Sequence, residues 1–430
     1  MKGYIDQCKC YSNDHSLLYT LYLANGATGI TFILPAAMLP LLIEHTRISL
    51  DTAGWIFASF SVGTLLSAII QGAFSKRIGS KYLLLSSMVI IATAGLVVPW
   101  THVFGVLLIA QFLLGIAFGF VYVTSNILAT RVFLESLSET LNKVQAAFGI
   151  GALIGPLLLS FALQTLHESI WAFCVVTILA CVTIGFLIPL HIPPAVEGET
   201  PQKAGPSTHT CKQIMFWFAI SQAFLYMGAE VGFENWIVTV VSKETAVALA
   251  IAAPTATLFW VGLTLGNVLS AQVLQRDILS ERSLLYCCIL GGCLSGLLVA
   301  IFPGSLWTSF AASLLMGLFF GPILPSIMAI TSRQFVERLD FVSSAMSFGS
   351  ETGGLLCPLL MGVAIAHFGG SWGMLIPALI CLLVAVPFSL AWWQTRENGQ
   401  VSKSAAFPPD DLMRKQMSIL PKVISGSLEC

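Results

Sequence analysis

The chain has 430 residues, of which 56% are hydrophobic and only 10% are charged. A soluble globular protein carries about 25% charged residues, so this composition excludes an ordinary soluble domain. The formal net charge is -1 and no dense basic cluster is present, so we expect no nucleic-acid partner. No phosphate-binding loop of the G-x-x-x-x-G-K-[ST] type occurs, which excludes ATP-driven transport by this chain.

Apolar stretches of about 20 residues, each long enough to cross a bilayer as a helix, recur along the chain. We predict twelve spans, at 17–43, 53–74, 82–100, 104–129, 142–164, 170–190, 214–241, 249–274, 283–302, 306–330, 342–367 and 372–393. A segment rich in Pro, Gly and polar residues separates six spans from six. The predicted domains are an N-terminal six-helix bundle (1–190), a cytoplasmic linker (191–213), a C-terminal six-helix bundle (214–393) and a cytoplasmic tail (394–430).

The distribution of Lys and Arg predicts the orientation in the membrane. With the amino terminus inside, 18 of the 20 Lys and Arg residues fall on the inner side, and only Arg47 and Lys243 lie in outer loops. We therefore expect both termini in the cytoplasm, for a multi-pass protein of a bacterial inner membrane.

Three segments of the first half recur in the second half at an offset of 202 or 203 residues. The matching pairs are Gly63–Ala68 with Gly266–Ala271, Gly115–Phe133 with Gly317–Phe335, and Gly151–Leu158 with Gly353–Leu360. Three matches in the same span order predict two related six-helix bundles, an architecture that transporters use with the substrate near the midplane.

The loop between spans 2 and 3 carries a motif. It reads Gly72-Ala-Phe-Ser-Lys-Arg-Ile-Gly-Ser-Lys81 and resembles the loop G-x-x-x-D-R-x-G-R-K of the major facilitator superfamily. Lys76 stands where that pattern has Asp. We assign a gating role to the matching residues and to the repeat-related arginines of spans 4 and 10: Gly72, Arg77, Gly79, Lys81, Arg131 and Arg333.

Three further segments resemble the fucose/glucose–proton symporter branch of that superfamily: Leu141–Pro156, Tyr226–Glu230 with Trp236, and Gly317–Pro325. The resemblance covers about residues 17–393. It implies an all-α membrane protein of twelve transmembrane helices in two six-helix pseudo-repeat bundles, the major facilitator fold. It also implies alternating access, with a monosaccharide carried inward together with protons.

One departure from this branch affects the proton path. Bacterial proton-coupled sugar carriers of the branch use buried acids in the first half, whereas spans 1 to 6 of this chain hold no interior Asp or Glu. A coupling acid must then come from the second half, unless another ion is coupled or the protein is a uniporter.

Three acids of the second half lie within predicted spans, where a carboxylate is costly and usually functional. Glu230 lies well inside span 7, and we predict that it binds substrate or a proton; the alternative is a structural carboxyl bonded to a neighbouring helix. Glu234 lies one turn further on the same face, nearer the outer end, so an outer-gate contact is equally open. Glu351 in span 11 aligns with Gly149 in the repeat, which suggests a specialised role in contact with substrate or a proton; packing is the open alternative.

Neutral polar and aromatic residues at membrane depth complete the predicted substrate site: Asn25, Gln111, Asn126, Gln145, Tyr226 and Trp236. Polar groups of this kind bind sugars, but they also join helices to one another. Trp236 and Tyr226 suit stacking on a sugar ring, but the place of Trp236 near the outer end of its span favours the membrane interface.

The lead hypothesis is a secondary active transporter that moves a small polar solute, most simply a monosaccharide with protons. The alternatives are an exporter of an amphipathic drug-like or metal-chelator molecule, and a receptor that has lost transport. We expect no enzyme activity, no cofactor and no metal site. The expected partners are the small-molecule substrate, the lipid bilayer and protons, with the chain acting as a monomer.

Overall fold

The structure is a computed structural model that describes residues 2–133, 137–190, 213–335 and 338–397. Side chains are described in these ranges except at 2–14, 72–78, 131, 138, 339–340 and 391–397. The predicted linker and tail therefore lie almost entirely outside the described residues. Residues Met1–Ala385 form one compact unit, which holds both halves of the chain as far as span 12, and Val386–Cys430 form a second.

Every regular element of the described residues is a helix. The first half contains α1 (Lys2–Ala37), α2 (Leu39–Thr46), α3 (Leu50–Ile78), α4 (Ser80–Val97), α5 (Phe104–Val132), α6 (Leu137–Phe161, continued by one π-helical turn, Ala162–Leu166) and α7 (Ile170–Leu187). The second half contains α8 (Ile214–Glu244), α9 (Leu249–Ala252), α10 (Pro254–Gln275), α11 (Glu281–Ile301), α12 (Leu306–Phe320), α13 (Ile323–Gln334), α14 (Leu339–Phe368) and α15 (Gly370–Glu397).

Twelve candidate spans in the described part of the chain confirm the predicted number. Short breaks split span 8 into α9 and α10, and span 10 into α12 and α13. The predicted bounds agree with the structure to within four residues, except at the end of span 1. That span ends at Ala37 rather than at 43, because Pro40 has no amide hydrogen and its ring clashes with the preceding turn.

The two halves repeat the same helix pairing. In the first half span 1 packs on span 5 and span 2 on span 4. In the second half span 7 packs on span 11 and span 8 on span 10. Equivalent spans thus make equivalent contacts, as two pseudo-repeat bundles require.

Glycines of the repeat lie where these helix pairs come closest. Gly151 of span 5 faces the Gly26 carbonyl of span 1, and Gly353 of span 11 faces the Phe224 carbonyl of span 7. A Cβ at either glycine would collide with that backbone, so the pairing depends on the missing side chain. Gly149, one half-turn from Gly151, has open space around it.

The halves meet through spans 2 and 11 and through spans 5 and 8. Ser160 Oγ donates to the Ala250 carbonyl at 2.6 Å, and Thr257 Oγ1 donates to the Leu153 carbonyl at 3.0 Å. Gly54 of span 2 lies against the backbone of span 11. These contacts lie at mid-span or on the membrane side opposite the start of span 1, which we call the remote side. The structure is therefore closed between its halves on the remote side.

The two glycines of span 5 provide a matched pair for testing the close helix contact. We expect Gly151→Ala to lower the thermal unfolding midpoint, because the methyl group forces span 5 away from span 1. Gly149→Ala should leave the midpoint unchanged or raise it, since Ala is favoured over Gly in a helix by up to about 1 kcal/mol. Scanning fluorimetry of the purified proteins in detergent measures both. Equal midpoints for the two variants would contradict the packing assignment.

Candidate substrate site between the two halves

A cavity of about 170 Å³ lies at mid-span between the two halves of the chain. Spans 1, 2, 4 and 5 of the first half and spans 7, 8 and 11 of the second half contribute to its wall. The lining residues are Phe32, Pro35, Phe57, Phe60, Ser61, Gln111, Phe118, Phe148, Met227, Glu230, Val231, Glu234, Asn235, Trp260, Glu351 and Gly354.

The first half supplies an aromatic wall. Phe32 lies at its centre, with ring centroids 5.6 Å from Phe60, 5.6 Å from Phe118 and 5.8 Å from Phe148. Phe60 and Phe118 meet edge to face at 5.5 Å. Phenyl rings in such tilted and edge-to-face pairs stabilise one another beyond the area they bury. The wall is thus a rigid apolar surface formed by four different spans.

The second half supplies an acidic wall. Glu230 and Glu234 project from successive turns of span 7, and Glu351 joins them from span 11, which packs directly on span 7. Asn235 adds an amide. Among the 16 lining residues there is no Lys, Arg or His. The three carboxyl groups therefore face a solute without a basic side chain between them.

Trp260 of span 8 connects the two walls. Its indole Nε1 donates to Glu234 Oε1 at 2.8 Å. Its ring meets Phe148 edge to face at 5.8 Å and Phe32 at 6.4 Å. One side chain of the second half thus fixes a carboxyl group and packs on the aromatic wall of the first half.

Gln111 is the principal polar group that the first half offers to the cavity. The side chain is 2% exposed, and its Nε2 has no hydrogen-bond partner in the structure. A buried amide hydrogen without an acceptor is costly and rare in native proteins. A solute with an acceptor oxygen would satisfy this donor.

Four residues predicted from the sequence come together at this cavity, namely Glu230, Glu234, Glu351 and Gln111. Glu234 is 2% exposed and lines the cavity, although its place in the sequence left an outer-gate contact equally open.

The other predicted substrate residues lie outside the cavity lining. Asn25 joins span 1 to span 4, because its Nδ2 donates to Ser125 Oγ at 2.9 Å. Asn126 is half-buried and Gln145 is exposed. The structure thus places these three amides in helix packing or at the surface, away from the cavity.

Tyr226 and Trp236 are buried in the second half. The Tyr226 hydroxyl donates to the Phe320 carbonyl at 3.1 Å, and the Trp236 indole donates to the Pro358 carbonyl at 2.9 Å. Trp236 is 0% exposed, so its placement at the membrane interface is wrong.

The predicted gating residues occupy the loop ends of their own halves. Gly79 begins α4 with φ of 76°, a conformation that favours glycine. Lys81 Nζ donates to the Ile188 and Leu190 carbonyls at 2.8 Å each, which caps the end of span 6. Arg333 pairs with Glu281 at 2.7 Å. The side chains of Gly72, Arg77 and Arg131 lie outside the described residues.

The comparisons with known proteins agree with this architecture. The family model of the Major Facilitator Superfamily matches residues 21–276 and 237–425. The glucose/mannose transporter GlcP of Bacillus subtilis is 25% identical over 348 residues, which cover 78% of this chain and 84% of that protein.

Two further matches are less extensive or show the fold alone. The multidrug resistance protein MdtG of Proteus mirabilis is 33% identical over 148 residues, 33% of this chain and 36% of that protein. The solved structure of the nucleoside transporter NupG superposes with a TM-score of 0.69 at 15% identity, covering 87% of this chain and all of that one.

Two repeated six-helix bundles around a mid-span cavity are the architecture of a secondary transporter. The chain belongs to the Major Facilitator Superfamily. It is a multi-pass integral membrane protein, and its sequence relatives include a sugar transporter.

Gln111 and Asn25 are both buried amides, but they should respond differently to removal. Gln111→Leu replaces an unpartnered amide by an apolar group of similar size, so we expect the unfolding midpoint of the solute-free protein to stay or rise. Asn25→Leu leaves Ser125 without its partner, and we expect the midpoint to fall. Thermal unfolding in detergent separates the two, and a larger loss for Gln111→Leu would show that its amide has a structural partner.

Trp260→Phe keeps an aromatic ring against Phe32 and Phe148 but removes the donor to Glu234. Leaving a buried acceptor without its donor costs about 1–3 kcal/mol, so the unfolding midpoint should fall. Trp307→Phe is the matched control, because the Trp307 side chain is 79% exposed. Indistinguishable midpoints for the two variants would show that the indole hydrogen bond contributes nothing to stability.

Proposed function

We propose that this protein transports a monosaccharide together with protons by alternating access. The observation that carries the proposal is the cavity itself: a mid-membrane space of about 170 Å³ with an aromatic wall on one side and a hydrogen-bonding, acidic wall on the other. The proposal accounts for the size of the space, for the chemistry of both walls and for the absence of basic lining residues.

The size of the cavity favours a solute with a single ring. A cavity of roughly 150 Å³ in another protein holds one benzene molecule, whereas sites for drug-sized ligands measure about 300–1,000 Å³. A space of about 170 Å³ therefore suits one six-membered ring with its substituents. A drug-like molecule of several rings or a metal chelator would extend beyond this volume.

The two walls suit the two kinds of surface on a sugar. The C–H faces of a pyranose ring are apolar and pack on aromatic rings such as Phe32 and Phe118. Its hydroxyl groups donate to the carboxyl oxygens of Glu230 and Glu351 and accept from the unpartnered Nε2 of Gln111. A solute in the cavity would thus bond to both halves at once.

The carboxyl groups support proton coupling. An ionised carboxylate at membrane depth is costly unless it is paired, and no basic side chain lines this cavity. A change in the access of the cavity to water therefore favours the uptake or release of a proton at these groups. The first half contributes no acid to the lining, so the proton path runs through spans 7 and 11.

The match to a sugar transporter covers more of this chain than the match to a multidrug resistance protein does, which supports the sugar proposal over the exporter. The match to GlcP, a glucose/mannose transporter, extends over most of both chains. The match to MdtG, a multidrug resistance protein, covers a third of each. The exporter of an amphipathic molecule remains the second candidate, because the aromatic wall would also bind an apolar cargo.

We also propose that the termini face the cytoplasm and that the protein resides in a bacterial inner membrane. The excess of Lys and Arg on the side where span 1 begins supports this orientation. With that orientation the remote side faces outward, and the structure corresponds to a state that is closed to the outside.

Proton movement driven by sugar in proteoliposomes tests the proposal, with Glu230→Gln compared with the exposed control Glu168→Gln. We expect one sugar of a monosaccharide panel to change the internal pH of vesicles that hold the wild type or Glu168→Gln. The change should fall at least tenfold in Glu230→Gln, because Gln cannot carry the proton. Counterflow of the labelled sugar should persist in that variant.

Three other results would change the assignment. Counterflow without proton movement in the wild type would indicate a uniporter or coupling to another ion. Flux of an amphipathic molecule but of no sugar would favour the exporter. No flux and no solute-induced stabilisation would favour a receptor.

A further inference from the structure

The carboxyl groups of the cavity have no basic partner among its lining residues. Glu230, Glu234 and Glu351 line it, and the 16 lining residues include no Lys, Arg or His. Glu234 accepts the indole hydrogen of Trp260, but Glu351 accepts no hydrogen bond among the described residues. A neutral sugar can donate hydroxyl hydrogens to these carboxyl groups, but it supplies no positive charge to pair with them when they are ionised.

The aromatic wall adds to the preference for positive charge. A cation within about 6 Å of an aromatic face is attracted by the ring quadrupole, most strongly by Trp. Trp260, Phe32 and Phe148 line the same cavity as the three carboxyl groups. Aromatic faces next to carboxyl groups are the combination that recognises organic ammonium groups in proteins.

Gln111 gives independent evidence that the cavity is built for a ligand. Its side chain is 2% exposed, and its Nε2 donor has no partner. A small inorganic cation or an ammonium ion would leave that donor unsatisfied, because neither has an acceptor atom. A solute that carries an acceptor oxygen would give this donor a partner.

We propose that the preferred solute is cationic: a single-ring molecule with hydroxyl groups and a protonated primary amine, such as an amino sugar with a free amine. The inference rests on the proposed transport of a monosaccharide and names its class. The ammonium group binds the carboxyl groups of spans 7 and 11, a hydroxyl or ring oxygen accepts from Gln111, and the ring packs on Phe32.

Binding of matched sugars to the purified full-length protein tests this inference. Thermal-shift titrations at fixed pH and ionic strength compare glucosamine, N-acetylglucosamine and glucose, which differ at one ring position. Hydrogen bonds between charged groups are stronger than neutral ones, so glucosamine should half-saturate the protein at a concentration about tenfold or more below the other two. Glu351→Gln should reduce this advantage, and Glu168→Gln should not.

The outcomes separate the two proposals. If glucose or N-acetylglucosamine binds as well as glucosamine, the cationic class is wrong and the monosaccharide proposal stands. If no sugar binds, the monosaccharide proposal fails, and cyclohexylamine against cyclohexanol decides the charge. If cyclohexylamine stabilises the protein and cyclohexanol does not, the result supports a cation site. If both compounds or neither stabilise the protein, the cation site is wrong. Glu230→Gln replaces Glu351→Gln if the latter does not fold.

Discussion

Polar side chains at membrane depth must be kept from lipid, and this constraint organises the centre of the molecule. Spans 7 and 11 turn Glu230, Glu234 and Glu351 towards the other half, where the cavity separates them from lipid. Close packing of spans 7 and 11 around Gly353 brings the carboxyl groups of both spans to one wall. The helix contacts and the chemistry of the site therefore depend on each other.

The repeated helices form the scaffold, and residues that differ between the two halves form the site. Gly151 and Gly353 occupy equivalent positions in the repeat, and each allows its helix to pack against the backbone of another helix. Glu351 and its equivalent Gly149 differ completely, since one lines the cavity and the other faces open space. Two similar bundles thus give a cavity with unlike walls, one aromatic and one acidic.

The fold was predictable from the sequence because the membrane permits few solutions. Span length and apolar composition follow from bilayer thickness, and the spacing of the repeated glycines reveals the two halves. The acids were predictable for the same reason, since a carboxylate within a span is rare. The sequence does not distinguish Trp260, Phe32 and Phe148, because aromatic residues are common in every span and packing alone separates a cavity wall from a lipid face. Asn25 and Trp236 show the converse: they look functional in sequence, but each hydrogen-bonds to a neighbouring span.

Span 8 provides a physical link between the site and the closure of the remote side. Thr257 and Trp260 lie about one turn apart, and both face the first half: Thr257 bonds to Leu153, and Trp260 packs on Phe32 and Phe148. In the proposed alternating access, opening of the remote side would break the Thr257 bond and withdraw the indole from the aromatic wall together, because one helical turn carries both. The same indole is held by Glu234. A solute or a proton that changes the bonding of Glu234 would therefore act directly on Trp260, the residue that moves. Binding and the change of access would then be connected through these two residues alone.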